Sequence, residues 1–182
     1  MKAALKYVGA GFRRPEARVA TGFSRPAAPI VLRAGSSSDA FAIYQLVSGH
    51  LAEGHLLPRD EAEVAAHASR FVVAAQGDAI VACAELAPLS ASVAEVRSFV
   101  VSREARRLGV GRRLIEALVA RASLGGFLKL CAFTHSPAYF VHLGFSMVPH
   151  TWLPEKIAAD CAGCRQFRRC GQYAVMRMLH HG

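Results

Sequence analysis

From Ile30 onward, short apolar runs alternate with stretches in which apolar side chains recur every three to four positions, the pattern of an α/β chain. IVLR (residues 30–33) reads as a strand. SSSD (residues 36–39) offers capping oxygens to a helix that carries Ile43, Leu46, Val47, His50 and Leu51 on one face and stops at Gly54. LLPRDEAEVAAHASR (residues 56–70) predicts a second helix, with Pro58 near its start, Asp60 and Glu61 in its first turn and Arg70 at its end. FVVAA (71–75) and AIVACAEL (79–86) predict a hairpin around Gly77 and Asp78. VAEVRSFVV (93–101) is a further strand, followed by a loop and a helix with Leu114, Ile115, Leu118, Val119 and Ala122 on one face. FLKLCAF (127–133) is the next strand, SPAYFVHLGF (136–145) a short helix ending at Gly144, and YAVMRML (173–179) the last strand.

The 182 residues suit one domain with a core that needs no disulfide or metal. That domain is expected at residues 30–179. Residues 1–29 form a basic arm of weak periodicity, with Lys2, Lys6, Arg13, Arg14, Arg18 and Arg25 set against Glu16 alone, and residues 180–182 a tail. No apolar run approaches the roughly 18 to 20 residues that span a bilayer, and the start lacks the apolar stretch of a secretory signal, so a cytoplasmic chain without membrane partners is expected. The net charge of +9 favours anions, from nucleic acid to phosphate-bearing cofactors and carboxylate substrates. Much of the excess sits in the arm, which makes nucleic acid the weaker choice. Five cysteines form an odd set that suits free thiols. Cys83 and Cys131 read as core residues. Cys161, Cys164 and Cys170 have metal-like spacing but lack a fourth thiolate, so His150 or His180 would have to complete a zinc site; a thiol cluster is expected and no metal.

The chemistry concentrates at RRLGVG (residues 106–111), between a strand and a helix. Glycines in such a loop let the backbone approach a phosphate, and the free N–H groups at the helix start point at it. Arg112 and Arg113 oppose the helix dipole, a conflict that an anion at that end resolves. A dinucleotide fingerprint would need a glycine at Leu114, and no GK[ST] follows for a nucleotide-triphosphate loop.

The spacing of Arg106, Gly109 and Gly111 resembles the RxxGxG signature of the GNAT acetyltransferases. Its flanks resemble one branch, the short-form N-acetylglutamate synthases. GHLLPRDEAEV, AEVRSFVVS, YFVHLGF and LPEKIAADCAGCRQFRRC are similar to that branch's segments, in the same order. The tail departs from the family's CPKF and CDE, reading Cys164-Arg165-Gln166-Phe167 and Cys170-Gly171-Gln172. The resemblance implies a GNAT acyl-CoA N-acyltransferase fold: a mixed central sheet whose strands at 93–101 and 127–133 splay apart, with flanking helices.

It further implies acetyl-CoA as the acetyl donor. Backbone groups at Val100 and Val101 would hold its pantetheine arm, and Arg106, Arg107, Leu108, Gly109, Val110, Gly111 and Arg112 its phosphates. Glu95 falls where related histone-type enzymes carry the base that deprotonates the acceptor amine. Strand alternation puts Glu95, Arg97 and Phe99 on one face in the absence of a bulge, so an ion pair between Glu95 and Arg97 is an equal reading. Phe140 stands where many relatives have a tyrosine acid, and Tyr139 is expected to pack. Arg59, Arg97 and Lys156 could bind the carboxylates of glutamate, the acceptor the resemblance implies, in arginine biosynthesis. Another amino acid or a peptide amine remains an alternative, as does a noncatalytic acyl-CoA-binding domain. Dimers are common in the superfamily, so a homodimer is allowed for.

Overall fold

The alternating runs form seven strands of one mixed sheet in the computed structural model, which describes residues 28–54, 56–164 and 167–179. The arm before residue 28, the tail at 180–182 and His180 lie outside those residues.

Strand β1 (Ile30–Ala34) leads into a 3-10 turn, Ser37–Asp39, and helix α1 (Ala40–Gly49). Ser36 and Asp39 form a capping box there, and Arg33 grips both Asp39 oxygens at 2.7 Å. The expected extension of α1 to Gly54 is instead a separate 3-10 turn, Leu51–Glu53, closed by left-handed Gly54. Helix α2 (Glu61–Ala66) is shorter than periodicity suggested: the chain tightens into a 3-10 turn at Ala68–Arg70. Arg121 takes the Ser69 and Phe71 carbonyls there, at 2.5 and 3.3 Å. Strands β2 (Phe71–Gln76), β3 (Ala79–Pro88) and β4 (Val93–Val101) continue the sheet as an antiparallel meander.

Helix α3 (Val110–Leu124) crosses over to β5 (Lys129–Thr134). Then come α4 (Pro137–Val141), β6 (Ser146–Val148), α5 (Pro154–Lys156), a π turn at Ile157–Cys161, and β7 (Tyr173–Met178). Three-residue β6 is too short to leave a periodic signal. The sheet order is β1-β2-β3-β4-β5-β7-β6.

Two apolar layers fix the sheet. Leu114, Ile115 and Leu118 of α3 pack with Phe140 of α4 on one face, against Ala94 and Val96 among others. Burial of each such large side chain is worth roughly 1.5–3 kcal/mol, so α3 and its N-terminal loop are held firmly. Ile43 and Val47 of α1 and Val64 of α2 cover the other face at Phe71, Val73, Cys83 and Val100.

β4 and β5 are the parallel pair, and their pairing runs only from Val93 opposite Lys129 to Val96 opposite Ala132. Beyond Val96 the strands part, the expected splay. A bulge lies just there: the β3–β4 register slips between Cys83 and Glu85, and Ser98 takes a left-handed φ of 48°. It corrects the simple alternation. Glu95 and Arg97 stay on the α1–α2 face, while Phe99 and Val101 turn to the α3 face and Val100 takes the place they vacate.

Candidate active site

Two cavities meet at this splay. One, of about 800 Å³, runs along the start of α3 past Val101, Gly109, Gly111 and Tyr139. The other, of about 560 Å³, lies between Arg59, Glu95, Arg97, Lys156 and Asp160. Leu56, Phe99 and Phe140 line both, so the parted strands form a junction between a long groove and a charged chamber.

The groove is built by backbone. Arg107 and Gly109 have left-handed φ values of 66° and 74°, and the first bond of the α3 ladder that leaves this turn runs from Arg113 N–H to the Gly109 carbonyl at 3.1 Å. The N–H groups ahead of that rung have no carbonyl one turn back, and a loop curled by left-handed residues gathers such donors into an anion-binding concavity. An L-residue at Arg107 accepts conformational cost for this shape, as functional loops do. Gly111 leaves little room for a side chain: a Cβ there would come 2.6 Å from the Tyr139 hydroxyl and 3.1 Å from the Phe99 ring, so one of them would have to shift. Tyr139 stacks on Phe99 with centroids 5.8 Å apart but stays 39% exposed, and partial burial, then the Glu116 charge, raise its pKa so that it keeps its proton.

The arginines of this loop also meet protein groups. The Arg106 guanidinium donates to both Glu53 oxygens, at 2.9 and 2.7 Å, and to the Val101 carbonyl at 3.1 Å. Hydrogen bonding to Arg106 holds the Glu53 carboxyl below its usual range. Arg106 thus ties the loop to the turn after α1. Arg112 pairs with Glu116 at 2.7 Å along the exposed side of α3, Arg107 is exposed, and Arg113 reaches the Ile30 carbonyl at 3.4 Å. Val100 is buried and Val101 half-buried, both on the stretch of β4 past its pairing with β5. Main-chain donors at Leu108, Gly109, Val110 and Gly111 are the groups of this groove that could hold a phosphate.

The chamber holds the candidate acceptor residues together. Glu95 is buried, and each of its oxygens has a cation: Arg97 Nε at 2.5 Å and Lys156 Nζ at 2.6 Å. Arg97 and Lys156 also share Asp160 Oδ2, the latter at 2.8 Å. Burial works against the Arg97 charge, but Glu95 and then Asp160 hold its pKa above the ordinary guanidinium value. Lys156 lies 5.2 Å from the centre of the Phe133 ring. Arg59 sits at the chamber wall, yet its guanidinium is turned to scaffolding: it meets Glu85 at 3.0 Å and Glu63 at 2.9 Å, and donates to the Ser98 hydroxyl at 3.2 Å.

Glu85, Ser98, Asp160 and Glu53 were missed in the sequence. Glu85 left one signal, an acid in the apolar run AIVACAEL; the others are assembled only by tertiary structure. The tail cysteines do not form a described metal centre. Cys161 is half-buried, Cys164 and Cys170 are exposed, and among the described residues no group of three His, Cys, Asp or Glu side chains could hold an ion.

Comparison with known proteins agrees with this geometry. Residues 40–145 match the acetyltransferase (GNAT) family. An uncharacterized N-acetyltransferase of Chlorobaculum tepidum is 30% identical over 154 residues, which cover 85% of this chain and 99% of that protein. Among solved structures, the N-acetylglutamate synthase of Neisseria gonorrhoeae, complexed with coenzyme A and N-acetyl-glutamate, superposes with a TM-score of 0.75 at 25% identity. The match covers 84% of this chain but 36% of the synthase, so this chain spans about a third of that relative. A Mycobacterium tuberculosis protein in complex with CoA shares the fold, with a TM-score of 0.70 at 20% identity over 82% of this chain and 99% of that one.

Proposed function

The chain belongs to the acetyltransferase (GNAT) family and is an N-acetyltransferase of that kind, and from that premise we propose that it acetylates the α-amino group of L-glutamate, drawing on acetyl-CoA. The observation that carries this reading is the chamber: Arg97 of β4 and Lys156 of α5 converge on Glu95 beside the junction with the groove. Two fixed cations suit an acceptor with two carboxylates. The likeness to a synthase that binds N-acetyl-glutamate supports the same acceptor.

Acetyl-CoA, when bound, supplies an activated thioester. The Leu108–Gly111 backbone would hold its diphosphate, and the unpaired edge of β4 near Val100 and Val101 its pantetheine arm. Phe99 and Phe140 keep the junction apolar, which strengthens electrostatic interactions inside it. Arg97 and Lys156 would orient the acceptor. Glu95, which lines the same chamber, would take a proton from the ammonium, directly or through water. Arg59 acts one step back, by holding the Ser98 bulge that opens β4. Tyr139 stays a packing residue on the groove wall.

Thiol release from acetyl-CoA over a panel of amino acids tests the proposal. L-glutamate is expected to give the highest kcat/KM, and Arg97→Ala to raise the KM for glutamate roughly tenfold or more, the scale of a lost charge-assisted contact. Equal rates with glutamate and with uncharged amino acids would rule the acceptor out.

A further inference from the structure

The acceptor cations are already occupied. On the inner side they meet Glu95, whose side chain is 4% exposed and fixed on a central strand; on the outer side they meet Asp160, 37% exposed. A single oxygen, Asp160 Oδ2, lies against both Arg97 and Lys156. That is the geometry a bound carboxylate would adopt, and Asp160 itself lines the chamber. The aspartate is carried by the π turn Ile157–Cys161, closed by Ala162 N–H to the Ile157 carbonyl at 3.0 Å. Single π turns are tolerated where a local shift serves function. Of the acids around Arg97 and Lys156, the one on this turn can leave at least cost: Glu95 is buried on its strand, whereas Asp160 already faces water.

We infer that Asp160 is an internal stand-in for the acceptor's carboxylate, a positioning residue that competes with the incoming anion for Arg97 and Lys156 and so sets the chamber's affinity for dianions. This inference rests on the reading of the chamber as the acceptor site. Three consequences are built into the arrangement. The cations stay preorganised, since they are held from both sides. A neutral or cationic side chain gains little, because it cannot displace Asp160. A dianion can, because it brings a replacement charge for the one it removes.

The test is calorimetric titration of the full chain, in the presence of coenzyme A, with N-acetyl-L-glutamate (a dianion) and with N-acetyl-L-glutamine (a monoanion). Asp160→Asn and Asp160→Ala are expected to bind the dianion roughly three- to fivefold more tightly than wild type, the upper range of a solvent-facing ion pair once it no longer competes. The gain for the monoanion is smaller, and Asp160→Glu, which keeps the charge, binds like wild type. In steady state the KM for L-glutamate falls in Asp160→Asn while that for acetyl-CoA stays, a split that a merely structural role would not produce. Dianion binding that is unchanged or weaker in both variants, with circular dichroism showing the fold intact, overturns the inference. Tighter dianion binding without thiol release from L-glutamate upholds the competitor and overturns only the glutamate reading.

Discussion

At the scale of single residues, Gly111 and Glu95 carry the sharpest expectations. A methyl at Gly111 would collide with the Tyr139 hydroxyl at 2.6 Å. Gly111→Ala is therefore expected to weaken coenzyme A binding about tenfold, the low end of the cost of overpacking. Adding Tyr139→Phe removes the colliding atom and should recover most of the loss, as titration calorimetry would read. Glu95→Gln is expected to lower kcat roughly a hundredfold, the scale of a lost general base, with the KM for acetyl-CoA unchanged because the groove is built from other residues. It should also lower thermal stability, since Arg97 and Lys156 would lose their buried counter-charge. A Glu95→Gln variant with full kcat would remove this residue from the chemistry.

At the scale of elements, the bulge in β4 is the device that joins groove to chamber, and Arg59 secures it from the loop before α2. Arg59 lies against Glu85, whose side chain is only 1% exposed. Arg59→Ala leaves that acid buried without its cation and is expected to cost about 3 kcal/mol in urea unfolding, the lower end for a broken buried pair. Much of this level was legible in advance. The strands at 71–75, 79–86 and 93–101 and the helix after RRLGVG announce themselves by local periodicity, and their cores formed as read. The glycine loop before α3 was legible because glycine spacing at a strand–helix junction is a local feature. What stayed hidden was tertiary. The slip at Ser98 moved Phe99 to the other face, Arg106 found Glu53 far along the chain, and Arg59 found Glu85. No periodicity encodes such partnerships. The two cations of the chamber, read from separate segments, were brought together; their acid from the π turn was not foreseen.

For the whole molecule, the buried thiols set an alkaline limit. Burial first, then the charges of Glu85 at Cys83 and Glu95 at Cys131, push both thiols up to about 12 from a usual 9.0. The folded chain thus keeps protons that the unfolded chain gives up. Stability is full below about pH 9 and falls as pH rises toward 12, by up to about 1.4 kcal/mol per pH unit for each thiol. Replacing both with alanine should flatten that part of a chemical-denaturation profile. Among the described residues no helix is long and apolar enough to cross a membrane. The architecture as a whole is a backbone-lined groove and a charged chamber meeting at one parted pair of strands. Its most direct test is to incubate the chain with acetyl-CoA and an equimolar mixture of the twenty amino acids, then identify the products by mass spectrometry. N-acetyl-L-glutamate should dominate; an acetylated product lacking a side-chain carboxylate as the main species, or none at all, would contradict the account.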